Sequence, residues 1–266
     1  MSIEVVDAGV LATVQDRGRP GWAAIGVPHS GAVDAGLAAV VNRLVGNPDG
    51  AALIETVGGL TVRALEPVTV ASDVEPVARS VHVGDVVRVL GGGRQWHYLA
   101  VRGGIAVDPV LGSCSTDTLS GLGPAPLRAG DRFAVGPEPE SPPHGETVPV
   151  RTADRRVRLL PGPRLDWFAP GTLDVMGAAE WRVMSSSRVG VRLAGRTLAR
   201  AVPDELPSEG LVRGAIQVPH DGDPIMMLAD HPTTGGYPVV AVVHPDDVAV
   251  VAQAPAGTTV RFTASP

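Results

Sequence analysis

The chain has 266 residues, 28 of them acidic and 22 basic, and every basic residue is arginine, giving a formal charge of −6. At roughly 100–200 residues per domain this is one large domain or two small ones, and 44% hydrophobic residues can build a core. The missing lysine excludes Schiff-base and Walker A chemistry. Net acidity with only 3% aromatics argues against a nucleic-acid partner.

A single cysteine, Cys114, excludes an internal disulfide and a CxxC zinc site, and no metal site is expected. Met1-Ser2-Ile3-Glu4 carries no secretory signature, and the most apolar stretch, Val239 to Val243, is far short of the ~20 residues that cross a bilayer. The sequence therefore reads as soluble and cytoplasmic, with no membrane association.

In chain order, the first clear element is a helix over 32–45. Val33, Leu37, Val40, Val41 and Leu44 recur at helical spacing, with Ser30 as its expected cap and Gly46 as its stop. Val81 to Val89 reads strand, turn, strand around Gly84-Asp85. Leu127 to Val135 repeats the form around Gly130-Asp131, and Ala256 to Phe262 repeats it around Gly257-Thr258. The second and third copies close the two halves of the chain. Between the halves lies a stretch from Gly136 to Thr152 with prolines at 137, 139, 142 and 143, which favour an extended connector. The expected organisation is a domain over 1–138, a linker over 139–153 and a domain over 154–266.

Four clusters carry chemistry-bearing residues. Gln15-Asp16-Arg17-Gly18-Arg19 suits an arginine fork gripping a carboxylate or phosphate, or a loop held by an Asp16–Arg17 or Asp16–Arg19 ion pair. His29-Ser30-Gly31-Ala32-Val33-Asp34 enters the helix, as an anion site or as plain capping. Arg102-Gly103-Gly104 and Gly112-Ser113-Cys114-Ser115-Thr116 place hydroxyls beside glycines, and Cys114 reads as a buried, inert thiol. Gln217-Val218-Pro219-His220 and Asp230-His231-Pro232-Thr233-Thr234-Gly235-Gly236-Tyr237 end apolar strands with polar groups, and Asp230 or His231 is the candidate general base.

These segments, in this order, resemble the biotin-dependent carboxyltransferase / allophanate hydrolase subunit 2 family, whose bacterial members include a subunit of 5-oxoprolinase. Val14 to Gly21, Ser30 to Asp34, Asn42 to Asn47, Glu55, Leu111 to Thr116, Gly162-Pro163-Arg164, Arg188 to Leu193, Gly214 to Pro219 and Thr233 to Pro238 carry the likeness. Cys114 stands where the family usually has Arg, and Pro232 where it usually has Gln.

The resemblance implies a mainly β protein of two cyclophilin-like β-barrel domains with a few short helices. It implies one component of an ATP-dependent 5-oxoprolinase, which opens the cyclic amide 5-oxoproline to glutamate. A second 5-oxoprolinase component, like allophanate hydrolase subunit 1, and a third one would complete it, with ATP bound through the complex. On this reading Asp230 is the base, and Gln217 and Tyr237 orient the small amide. The anion and substrate set is Gln15, Asp16, Arg17, Ser30, Asp34, Arg102, Ser113, Thr116, Arg188, Pro219, Thr233, Thr234, Gly235 and Gly236. Two alternatives stay open. One is a carboxyltransferase subunit taking carboxybiotin from another chain, since no lysine is present to carry biotin. The other is a non-catalytic regulatory protein that acts on a partner such as a histidine kinase inhibitor.

Overall fold

The structure, a computed structural model, describes residues 1–145 and 156–264. It divides into two compact units, Met1–Pro20 with Ser30–Arg151 and Gly21–His29 with Thr152–Pro266. The expected 139–153 linker lies outside the described residues from position 146 onward. The mainly β expectation holds, and no helix among the described residues is long and apolar enough to cross a membrane.

The first unit runs β1 (Ser2–Asp7), β2 (Leu11–Gln15), α1 (Ala35–Leu44), β3 (Leu53–Val57), β4 (Leu60–Ala64), β5 (Val68–Ser72), β6 (Arg79–Val81), β7 (Val86–Val89), β8 (His97–Val101), β9 (Ile105–Ala106) and β10 (Arg132–Val135). These form two five-stranded sheets, β7-β4-β1-β10-β9 and β2-β3-β8-β5-β6. Alternating aliphatic residues from both sheets, among them Ile3, Val5, Val14, Ile54, Val62, Val70, Val89 and Leu99, share one core. The turn read at Gly84-Asp85 is present, with the Asp85 carboxylate accepting from the His82 amide at 3.0 Å. It does not make a hairpin, because β6 and β7 belong to different sheets: the turn is a corner at which the chain changes sheet. The same side-chain device recurs before β10, where Asp131 accepts from the Arg128 amide at 2.7 Å.

Helix α1 starts three residues later than its apolar spacing suggests. Its cap is Asp34, whose Oδ1 accepts from Leu37 N at 3.0 Å, and not Ser30. Ser30 has φ 56°, in the left-handed region, whereas an N-cap residue needs extended backbone; its hydroxyl donates to Thr116 O at 3.1 Å instead. The helix stops as expected. Gly46 N bonds Arg43 O at 2.9 Å and Asn47 N bonds Asn42 O at 3.0 Å, the paired closure that a left-handed glycine permits.

The second unit runs β11 (Arg156–Pro161), α2 (Thr172–Ala178), β12 (Glu180–Ser186), β13 (Gly190–Ala194), β14 (Glu209–Gly210), β15 (Ala215–Gln217), β16 (Ile225–Met227), β17 (Thr234–Gly235), β18 (Val239–Val243), α3 (Val248–Ala252) and β19 (Thr259–Ala264). Seven strands close a barrel in the order β11-β18-β15-β16-β13-β12-β19, and β14 pairs with β17 beside it. Burial alternates along β11, β12, β13 and β19, so Val157, Leu159, Trp181, Val183, Val191, Leu193, Val260 and Phe262 fill the interior. Trp181 is wholly buried, and its indole N–H is satisfied by Met176 O at 3.0 Å, tying α2 to β12.

Arg102, expected to hold an anion, is a structural clamp. Its Nη1 donates to Val45 O and Ser141 O at 2.8 Å each, Nη2 to Pro139 O at 2.8 Å, and Nε to Glu138 at 2.7 Å. One guanidinium thus fastens the proline-rich stretch to the end of α1. Gly46 is required below it, since a Cβ there would lie 2.5 Å from Arg102 Nη1. Arg102→Ala is expected to cost about 2–3 kcal/mol of stability through these charge-assisted bonds, measured by urea unfolding of the full chain; a loss under about half a kcal/mol would contradict the clamp.

Candidate functional site

In the first unit, Gln15 ends β2, and the next residue, Asp16, organises the motif loop. Its Oδ1 accepts from Gly18 N at 2.7 Å, Ser113 Oγ at 2.6 Å and Ser115 Oγ at 2.5 Å, and its Oδ2 accepts from Cys114 N at 2.7 Å. Neither arginine expected to pair with it does so. Arg17 pairs with Asp49 at 3.6 Å, and the buried Arg19 donates to Val110 O and Ser115 O. Asp16 and Ser113 therefore bind each other. Cys114 packs against the core, and burial followed by the charge of Asp16 pushes its thiol above its ordinary range, so it is held as the unreactive thiol.

A buried polar network supports the entry to α1. Glu55 accepts from Val33 N at 2.7 Å and from the Tyr98 hydroxyl at 2.9 Å, and that hydroxyl accepts from Asp34 N at 2.7 Å. Burial and the neighbouring Glu55 push Tyr98 well above its ordinary range, so it stays a neutral donor. Asp34 is thereby a capping residue, and Ser30 a strained turn residue bonded to Thr116 O. Thr116 also receives Gln15 Nε2 on its carbonyl at 2.9 Å. Tyr98 has no local signature because it lies in an apolar strand. Glu55 had one, as a carboxylate inside Leu53-Ile54-Glu55-Thr56-Val57.

Between the motif loop and one face of α1 lies a cleft of about 280 Å³, lined by Gln15, Asp16, Arg17, Asn42, Asp49 and Leu53 together with alanines and a glycine. Asn42 holds the loop after α1 from below, donating to Ala51 O at 2.9 Å and accepting from Asn47 at 3.1 Å.

In the second unit the two groups expected to serve as base and anion grip neutralise each other. Arg188 Nε and Nη2 reach the two oxygens of Asp230 at 2.8 Å each, and both side chains are completely buried. A carboxylate in a buried bidentate pair is a poor proton acceptor. The stronger candidate is the adjacent His231. Its Nδ1 donates to Pro232 O at 2.7 Å, which leaves Nε2 with the lone pair, and burial pulls its pKa below the ordinary 6.5.

Gln217 Nε2 donates to Tyr237 O at 2.8 Å and so fixes the Thr233–Tyr237 loop. Gly235 has no room for a side chain, since a Cβ would lie 2.7 Å from that amide. Leu211 N bonds Thr233 O at 2.9 Å, while β14 pairs with β17 at Thr234 and Gly235. Gly236 lies in the same loop, and Pro219 is buried in a turn whose carbonyl accepts from Gly222 N at 3.1 Å. Tyr237 is exposed, with the Arg200 guanidinium 5.8 Å from its ring centre and His220 edge-on at 6.1 Å. Arg200 carries no local signature of this cluster, whereas His220 stands in the Gln217–His220 segment that the sequence singles out. Among the described residues no group of three or more His, Cys, Asp or Glu is placed to hold a metal.

The model of the carboxyltransferase domain, subdomain A and B, matches residues 25–264. The chain belongs to this family. It is 36% identical to a 5-oxoprolinase subunit of Escherichia coli (strain K12), covering 98% of this chain and 90% of that protein. It is 30% identical to urea amidolyase of Lachancea kluyveri over 98% of this chain but 17% of that one. Among solved structures, TTHA0988 superposes with TM-score 0.85 at 34% identity over 98% of this chain, and the K. lactis urea amidolyase with TM-score 0.90 at 25% identity over all of it. The chain spans 56% of the TTHA0988 chain and 19% of the K. lactis chain. In this carboxyltransferase-family chain the motif residues at 16, 102, 188 and 230 all bind other parts of the protein.

Two outcomes follow for the second unit. Asp230→Asn strips the charge partner from a buried guanidinium and is expected to cost about 3–5 kcal/mol in urea unfolding, while Arg188→Met with Asp230→Leu recovers most of it. His231 adds a pH term. Its folded pKa is below the unfolded one, so as pH falls through 6.5 the unfolded chain takes the proton first and stability drops. Unfolding midpoints on the two sides of that value, at about pH 7.5 and about pH 5.5, should differ less in His231→Asn than in the parent chain.

Proposed function

We propose that this chain is a non-autonomous, cytoplasmic component of an ATP-dependent 5-oxoprolinase that opens a cyclic amide. The observation that carries this reading is the 36% identity to the Escherichia coli 5-oxoprolinase subunit across 98% of this chain and 90% of that protein. Its partners would be an allophanate hydrolase subunit 1-like protein and a third component of the same enzyme. An amide carbonyl is a weak electrophile, and ATP supplies the activation of its oxygen. The chain has no lysine, and two of the arginines expected to hold an anion, Arg102 and Arg188, are engaged with carbonyl and carboxylate groups of the protein. That supports nucleotide binding through the complex. What the chain's own residues contribute is a neutral imidazole at His231 to take a proton from water, beside the fixed Thr233–Tyr237 loop.

A second reading is a carboxyltransferase component, favoured by the TM-score of 0.90 to the K. lactis urea amidolyase. It requires biotin carried on another chain, because this one has no lysine to bear it.

The test is co-purification with the two candidate partners and measurement of ATP-dependent glutamate release from 5-oxoproline. The complex should turn over and the isolated chain should not, and His231→Asn in the complex should lower the rate by roughly 10²–10⁴-fold. Turnover by the chain alone refutes the composite site. Carboxylation of an amide by added carboxybiotin, with no glutamate release, establishes the second reading instead.

A further inference from the structure

Tyr237 is 42% exposed, and among the described residues its hydroxyl has no hydrogen-bond partner, yet its ring is flanked on two sides. The Arg200 guanidinium carbon stands 5.8 Å from the ring centre, and the His220 ring meets it edge-on at 6.1 Å with 88° between the planes. A cation within about 6 Å of an aromatic ring centre is attracted by the ring's quadrupole, and an edge-on ring pair is a favoured aromatic geometry. The backbone is fixed separately, through Gln217 Nε2 on Tyr237 O at 2.8 Å. Exposed side chains ordinarily exchange between rotamers. This one is held while its O–H donor stays uncommitted.

Arg200 reaches the ring from outside the motifs. Its backbone forms a bridge with Phe168, and the next two amides, of Ala201 and Val202, bond Trp167 O at 2.8 and 3.3 Å. Nη2 donates to Val218 O at 2.8 Å, just after β15, and Nη1 faces His220 Nδ1 at 3.4 Å in an exposed contact. A guanidinium only donates, so Nδ1 holds the imidazole's lone pair and the ring N–H sits at Nε2, 3.3 Å from the Glu205 carboxylate. Nε is buried without a partner, which leaves the two terminal nitrogens to steer the fork. Arg164 and Arg192 in the same unit are paired with Glu209 and Asp221, whereas no carboxylate among the described residues pairs with Arg200. Its charge is therefore not neutralised beside the ring. One planar group joins the turn after β15 to the phenol that ends the Thr233–Tyr237 loop.

We propose that Arg200 is a positioning residue for the candidate site of the second unit: with His220 it holds the Tyr237 ring in one orientation, so that the phenol hydroxyl is aimed in advance at the carbonyl oxygen of a small amide. The amide rests on the functional reading above, while the holding of the ring stands on the geometry alone. A donor fixed before its ligand arrives loses less freedom on engaging it. Arg200 acts here through Tyr237 and does not itself touch the ligand.

The experiment has two readouts. The chain has two tyrosines, Tyr98 and Tyr237, so replacement by 3-fluorotyrosine gives two fluorine resonances, and Tyr237→Phe assigns them. In the folded full chain the Tyr237 resonance should stand apart from its position in concentrated urea, and Arg200→Gln should move it toward that position. His220→Ala leaves the Arg200–Val218 bond in place and should move it the same way, which covers the case in which Arg200→Gln fails to fold. A Tyr237 resonance that lies at the unfolded position in the parent chain, or one that the folded variants leave unmoved, overturns the holding of the ring. In the assembled complex with 5-oxoproline and ATP, Arg200→Gln should raise KM roughly ten-fold and leave kcat within about two-fold. In a Tyr237→Ala background the same substitution should change neither constant. An equal Arg200 effect without the Tyr237 ring overturns the positioning role. If the parent complex does not turn over 5-oxoproline, the functional reading falls, and the fluorine shifts alone decide whether the ring is held.

Discussion

A carboxylate taken out of water must be surrounded by donors or lose its charge, and the motif loop of the first unit is arranged around that requirement. Asp16 gathers Gly18 N, Ser113 Oγ, Cys114 N and Ser115 Oγ, joining the end of β2 to a segment nearly one hundred residues away. Ser115 in turn accepts from Asp16 N at 3.0 Å, so the two segments grip each other in both directions. Gln15, one residue earlier, then has its amide nitrogen fixed on Thr116 O, and Ser30 reaches the same carbonyl. The orientation of the Gln15 amide, and with it the polarity of the cleft, descends from how Asp16 is satisfied. Asp230 plays the matching part in the second unit, with one bidentate guanidinium in place of several neutral donors.

A basic complement made wholly of arginine suits this style of construction. A guanidinium presents five N–H groups in a plane and can serve several acceptors at once, which an ammonium on a flexible stem does less well. Arg102 collects three carbonyls and a carboxylate, and Arg19 sits buried on two carbonyls. Arginine here acts as mortar between distant loops.

What could be read in advance was whatever physics acts over a few residues. The end of α1 at Gly46 and the Gly-Asp turns before β7 and β10 depend on local backbone bonds, and they stand where the spacing places them. The start of α1 was misplaced because two capping residues lie four apart. Only the left-handed backbone at Ser30, whose hydroxyl bonds Thr116 O, decides between them. The motifs were visible, but their roles were not. Arg102, Arg188 and Asp230 all read as chemical groups, and each found a partner some forty residues away. A polar residue in a motif looks the same whether it waits for a ligand or holds a loop. His231 was legible as an alternative to Asp230, and its burial with Nδ1 on a carbonyl is what separates the two.

The strand pairing also sets an order of events in folding. In the first unit β1 pairs with β10, Ser2 opposite Ala134, and in the second β11 lies parallel to β19, Arg156 opposite Arg261. In both units the opening strand waits for the closing one, across more than a hundred residues. Loops of that length form slowly, and an unclosed barrel exposes strand edges meanwhile. During synthesis the second unit cannot seal until β19 has left the ribosome, and until then the apolar edge of β11 stays open to other chains. The arginines that open β11, at 156 and 158, are charges of the kind that keep such an edge from pairing with a stranger.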